Sequence, residues 1–214
     1  IRDQETVNNA SSGVDWIFHL AFVNGTRFFY EKADLVLDVG VKGALTTMEA
    51  AKKNKVEKYI LASSSEVYQQ PTKVPTDEAE RAMMPDVTNP RFSYSGGKLI
   101  SELLTLHYLQ PQDLKRIIFR PHNIYGPDMG WEHVIPDFMI RLREILKIEK
   151  TDGEINFPIQ GTGKETRAFC FVDDAVNGII LSAEKGSDGN IYNVGVDKEV
   201  TITDIVNMIG EITS

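Results

Sequence analysis

The chain has 214 residues, 42% hydrophobic and 25% charged, enough for one large domain or two small ones. A net charge of −8 speaks against a nucleic-acid backbone as partner, and no apolar run reaches the ~20 residues that span a bilayer. Ile1-Arg2-Asp3-Gln4-Glu5 is no signal peptide, and the lone Cys170 allows no intrachain disulfide, so a reducing compartment, the cytoplasm, fits.

In chain order, residues 6–12 read as a short helix ending at Gly13. Residues 15–21, Asp-Trp-Ile-Phe-His-Leu-Ala, read as a strand of the kind buried on both faces of a parallel sheet. After a loop over 23–27, the spacing of Leu35, Leu37, Val41, Leu45, Met48 and Ala51 predicts one long helix over about 30–54. Residues 58–62 form a second buried strand with Ser63-Ser64-Ser65-Glu66 at its carboxyl end, and the proline-bearing stretch 69–89 reads as a loop. A helix follows from Tyr94 to about Leu109, then a strand over 116–120 closed by Pro121.

Beyond it come a helix over 135–147 and short strands over 155–159 and 167–172, flanking Gly161-Thr162-Gly163. A helix over 173–185, a strand over 191–195 and a helix over 203–212 complete the chain. Strands alternating with helices imply right-handed crossovers in a doubly wound parallel sheet, with ligands at the carboxyl ends of the strands. Strict alternation fails after Pro121, which sets the boundary.

Tyr94 and Lys98 stand one helical turn apart on one face. A tyrosine keeps its proton until about pH 10, and a nearby ammonium lowers that value and makes the phenol a usable base. Gly96 and Gly97 leave little side chain between them. The spacing alone is a weak signal. Gly163-Lys164-Glu165 lacks the hydroxyl residue of a phosphate loop, and four scattered histidines with one cysteine offer no metal spacing.

The wider series is more specific. His19-Leu20-Ala21, Ser63 to Tyr68, Tyr94 to Lys98, Arg120 to Pro127, Gly161 to Asp174 and Asn193-Val194-Gly195 occur in a fixed order. That order resembles the extended short-chain dehydrogenase/reductase family: the NAD-dependent nucleotide-sugar epimerases, dehydratases and decarboxylases. The resemblance implies a Rossmann-like α/β fold, with residues 1–122 and 171–196 as a partial NAD-binding domain. Residues 123–170 and 197–214 are then a partial, small α+β substrate-binding part. It also implies a segment missing before Ile1, because the family begins with a glycine-rich βαβ unit that holds the cofactor pyrophosphate. As printed, the chain is then expected to bind dinucleotide poorly and to leave the flank of the 16–21 strand open.

Carried over, Tyr94 resembles the general base and Lys98 its partner, which also meets the nicotinamide ribose. Ser64 resembles the serine bonded to the reacting sugar oxygen. His19, Leu20, Ala21, Ser63 and Pro121 lie along the cofactor, NAD with NADP left open. Ser65, Asn123 and Arg167 hold the nucleotide-diphosphate sugar, the arginine by charge and forked donors. The resemblance further implies a homodimer through the 30–54 and 94–109 helices. Gly40 replaces an asparagine common in the family, and Gln69 a glycine.

Glu66 bears most on reaction type. The 4-epimerases mostly carry a small or hydroxyl residue there and the 4,6-dehydratases Asp-Glu, whereas Ser65-Glu66 matches UDP-glucuronate decarboxylases and some dehydratases and epimerases of other positions. Glu66 is either a second base or a carboxylate that orients the sugar or pairs with Arg167. Epimerisation through a 4-keto sugar leads, decarboxylation or dehydration comes second, and a non-catalytic Rossmann scaffold is the reading from another class.

Overall fold

The computed structural model describes residues 1–110, 113–148 and 155–213. They divide into two compact units: Ile1–His122 with Ala175–Val194, and Asn123–Asp174 with the chain from Gly195 on.

The first unit is built on a four-stranded parallel sheet. Its strands are β1 (Trp16–His19), β2 (Lys58–Ala62), β3 (Lys115–Pro121) and β7 (Asn190–Val194), in the order β1-β2-β3-β7. The register sets Ile17 against Tyr59, Ile60 against Ile117 and Ile118 against Ile191. β2 and β3 are central, so their apolar runs are buried on both faces. Tyr59, Leu61 and Ile118 join Ala44, Met48 and Leu109 in the core.

β1 departs from expectation. It is shorter than 15–21, ending at His19 where Leu20 N–H turns back to Phe18 C=O, and only His19 in it is buried. It is the edge of the described sheet, with β2 as its one neighbour, so Phe18 and Leu20 stay exposed.

The crossovers bring helices onto this sheet. α1 (Gln4–Ala10) is capped by Asp3, whose carboxylate accepts from Thr6 N–H at 2.7 Å, and it packs on the helix before β2. The single helix expected over 30–54 is broken. It comprises α2 (Thr26–Glu31), α3 (Ala33–Leu37), a π-helical turn Asp38–Lys42 and α4 (Gly43–Asn54). Lys32, at φ −143°, leaves the helical region between α2 and α3, and the wide π turn places Gly40 against the ring of Phe22. α4 ends on Lys55 at φ 55°, where Val56 N–H bonds Ala51 C=O. α5 (Ser93–Leu103) follows a short turn capped by Asn89 and runs into a π turn, Leu104–Tyr108.

In the second unit, β4 (Ile124–Tyr125) pairs parallel with β6 (Cys170–Phe171), and β5 (Thr166–Ala168) pairs antiparallel with β8 (Glu199–Thr201). The strand expected over 167–172 is thus two strands in different sheets. β8 was not anticipated, its three residues being too few for a period. No strand forms over 155–159: Pro158 offers no N–H, and Phe157 packs edge-on against Phe138 instead. α6 (Val134–Ile148) packs on α8 (Ile202–Thr213), while α7 (Val172–Lys185) leads back to β7. No described helix is long and apolar enough to cross a membrane.

Candidate active site

The first unit gathers Ser64, Glu66, Tyr94 and Lys98 where β2 ends and α5 begins. Ser63 N–H still pairs with Phe119 C=O at 2.8 Å, extending the ladder one residue past β2. Ser64 then caps the turn Ser65–Val67, its hydroxyl accepting from Glu66 N–H at 3.2 Å. The turn closes at Gln69, which takes the positive φ of 55° that a glycine would hold without strain. Its side-chain amide donates to Glu66 C=O.

Tyr94 is 9% exposed and Lys98 3%. Burial raises the Tyr94 phenol above its usual range; a hydrogen bond with Ser64 opposes this and the Glu66 carboxylate adds to it. The expected lowering by Lys98 is absent. Lys98 Nζ instead donates to Ala62 C=O at 2.6 Å and lies 4.2 Å from the centre of the Phe22 ring, against 5.6 Å for Tyr94. Burial lowers Lys98 to about 7, with Glu102 pulling upward, so near neutrality this amine is poised to exchange a proton.

Glu66 accepts from Arg91 Nη2 at 3.2 and 3.3 Å. That pair fixes where the Glu66 side chain lies near the phenol.

The residues expected along the cofactor fall into two kinds. Leu20, 57% exposed, and Ala21 present surface just beyond β1, and Pro121 ends β3. Ser63 is 1% exposed, and its hydroxyl donates to Glu102 Oε1 at 2.5 Å, which makes its side chain part of the scaffold. His19 is buried, its Nδ1 3.3 Å from Thr47 Oγ1, and burial lowers it to about 4, so it is neutral.

Beneath the site lies a buried network that the sequence did not disclose. Arg120 forks onto Glu102 at 2.8 and 2.7 Å and donates to Tyr68 OH at 2.8 Å. Tyr68 OH donates to Asn193 Oδ1, and Asn193 holds Thr76 C=O and Glu78 of the proline-bearing loop. Phe22 and Phe29 around Tyr94 were also missed; Gly40 was their one trace.

Asn123 and Arg167 belong to the second unit. Asn123, at φ 36°, donates to Ala168 C=O at 3.2 Å, and Arg167 Nη1 to Thr166 C=O at 2.7 Å. Met129 and Trp131 line a cavity of about 730 Å³ together with Tyr125, Ile135, Arg143 and Phe171.

A sequence profile of the NAD dependent epimerase/dehydratase family matches residues 1–195. A dTDP-D-glucose 4,6-dehydratase of Dictyostelium discoideum is 29% identical over 98% of this chain and 48% of its own length. A UDP-N-acetyl-alpha-D-glucosaminuronate decarboxylase of Bacillus cytotoxicus is 32% identical over 100% of this chain and 64% of its own. The crystal structure of a dTDP-glucose 4,6-dehydratase from Streptomyces venezuelae with NAD bound superposes with a TM-score of 0.83 at 25% identity, over 98% of this chain and 61% of that one. The chain thus spans about half to under two thirds of these relatives.

Proposed function

Because the chain belongs to the NAD-dependent epimerase/dehydratase family, we propose that it carries the reacting half of an enzyme that takes a nucleotide-diphosphate sugar through a 4-keto intermediate. One observation carries this reading: Ser64, Tyr94 and Lys98 meet in a dry site past the carboxyl end of β2, with Lys98 near 7.

Tyr94 oxygen, in the fraction that has already lost its own proton to solvent, receives the proton of the sugar hydroxyl, and Ser64 holds the oxygen that loses it. Lys98 fits a ribose: among the described residues its protonated amine has one hydrogen-bond acceptor, Ala62 C=O, which leaves donors for a ligand hydroxyl. Tyr94 and Lys98 would hold NAD, which would supply the hydride acceptor when bound. Leu20, Ala21 and Pro121 would flank it. In the second unit Asn123 and the exposed Arg167 are the candidates for the diphosphate, and in the first unit Ser65 is the candidate for the sugar.

Epimerisation is the leading outcome. Ser65 stands where the dehydratases carry an acid, and the Glu66 carboxyl is engaged by Arg91 Nη2 at 3.2 and 3.3 Å, which turns it away from a leaving hydroxyl. Decarboxylation is the second reading, favoured by Ser65-Glu66 and by the Bacillus relative. Incubating the full-length protein and NAD with UDP-glucose, UDP-glucuronate and dTDP-glucose separates them. A new epimer supports the leading reading, carbon dioxide the second, and a stable 4-keto-6-deoxy sugar overturns both. No turnover of any nucleotide sugar leaves a non-catalytic scaffold.

A further inference from the structure

Tyr94 is the middle of a stack. The Phe29 ring lies nearly parallel to the phenol, with centroids 4.9 Å apart and planes at 22°. Phe22 meets it edge-on from another side, at 5.1 Å and 78°. Each outer ring carries a cation: Lys98 Nζ lies 4.2 Å from the Phe22 centroid and Arg91 Cζ 5.3 Å from that of Phe29. The backbone makes room for this. A Cβ on Gly40 would stand 2.2 Å from Phe22 Cζ, and one on Gly97 2.9 Å from the same atom. Two glycines, one in the π turn before α4 and one in α5, form the slot that Phe22 fills.

We infer that Phe22 and Phe29 are positioning residues, a cation-capped aromatic clamp that fixes the Tyr94 phenol and gives the Lys98 ammonium a π face in place of a counter-ion. The inference rests on reading Tyr94 and Lys98 as the reacting pair. An ammonium with one carbonyl acceptor is stabilised by a desolvated ring face, and a stacked ring restrains its neighbour. The charged and titratable groups around the pair are Glu102 on α5, Glu66 after β2, Arg91 before α5 and the neutral His19 on β1. Of these, only Glu102 favours the charged form of Lys98. The clamp sets how much ammonium is present near neutrality and where the phenol oxygen points.

The test follows the Lys98 titration by NMR in protein labelled at lysine Cε, the signal assigned with Lys98→Met. Phe22→Leu keeps the slot apolar but removes the π face, and should lower the Lys98 midpoint by about half a unit to one unit. Phe22→Tyr, which keeps the face, should restore it. Gly40→Ala, which drives an unaltered ring out, should repeat the shift. Phe29→Leu should lower kcat about tenfold with KM within twofold, and Phe29→Tyr should recover it. A Lys98 midpoint unmoved in Phe22→Leu and Gly40→Ala, with only the melting temperature falling, reduces the rings to packing and overturns the clamp. If the unsubstituted protein turns over no nucleotide sugar while Phe22→Leu still moves the midpoint, the clamp stands and the assigned reaction falls.

Discussion

Under the proposed function, Tyr94 and Lys98 divide one task unevenly. Burial makes the phenol a strong base once ionised but keeps it protonated at neutrality, whereas the amine is half protonated near pH 7. Tyr94→Phe should lower turnover at least a hundredfold while leaving the melting temperature within a few degrees, because the ring keeps both stacking partners. Activity close to wild type in that variant would mean the base has been misassigned. Lys98 carries a stability cost of its own. Its folded value of about 7 lies below the ordinary 10.5, so between those pH values the unfolded chain binds a proton that the folded chain has released. Stability therefore rises with pH across that window, and the cost is fully present below it. Lys98→Met should stabilise the protein by roughly 1–4 kcal/mol at pH 6 and abolish turnover. Denaturant melts of both proteins at pH 6 and 9 check the sign: the gap must narrow at the higher pH, and a constant gap would contradict it.

Among the elements, the ends of β2, β3 and β7 and the turn after β2 are joined to α5 by one buried polar network. The Arg120 and Glu102 side chains are 4% and 6% exposed, so removing either partner leaves a buried charge. Glu102→Gln or Arg120→Leu should cost about 3–5 kcal/mol, and the double change Glu102→Leu/Arg120→Met distinctly less than the sum. Additive losses would show that the pair does not act as a unit. This network also shows why some of the site was legible and some was not. The apolar runs over 58–62 and 116–120 announced the central strands, and Tyr94, Lys98 and Ser64 sat in an ordered series of motifs. The partners of Ser63, Glu102, Arg120 and Tyr68 come from four separate segments, and no local spacing encodes them. The long helix failed for a related reason: its apolar period is nearly continuous, but the π turn at Asp38–Lys42 sets Gly40 against Phe22, a partner from a separate segment. Gly40 and Gln69, the departures from the family pattern, marked where the local backbone had been rebuilt.

At the scale of the whole molecule, α5 also bears on assembly. α5 buries Tyr94, Lys98, Ser101 and Glu102 on one side, and on the other leaves Ile100 and Leu103, three residues apart, 41% and 58% exposed. Leu37 on the adjoining α3 and Tyr108 on the π turn after α5 are exposed as well. We propose that this face forms the homodimer, in which a two-fold axis sets each α5 against its copy. Such an interface meets itself, so a charge at Leu103 would face its own image. Leu103→Glu should convert a dimer to a monomer in sedimentation velocity at micromolar concentration. Because Leu103 and Lys98 lie on opposite faces of α5, the variant should keep the Lys98 midpoint near 7. A monomeric unsubstituted protein removes the proposed interface. A dimer that survives Leu103→Glu moves it to another surface, and a monomer in which the Lys98 midpoint has also shifted shows that pairing reaches through the helix to the site.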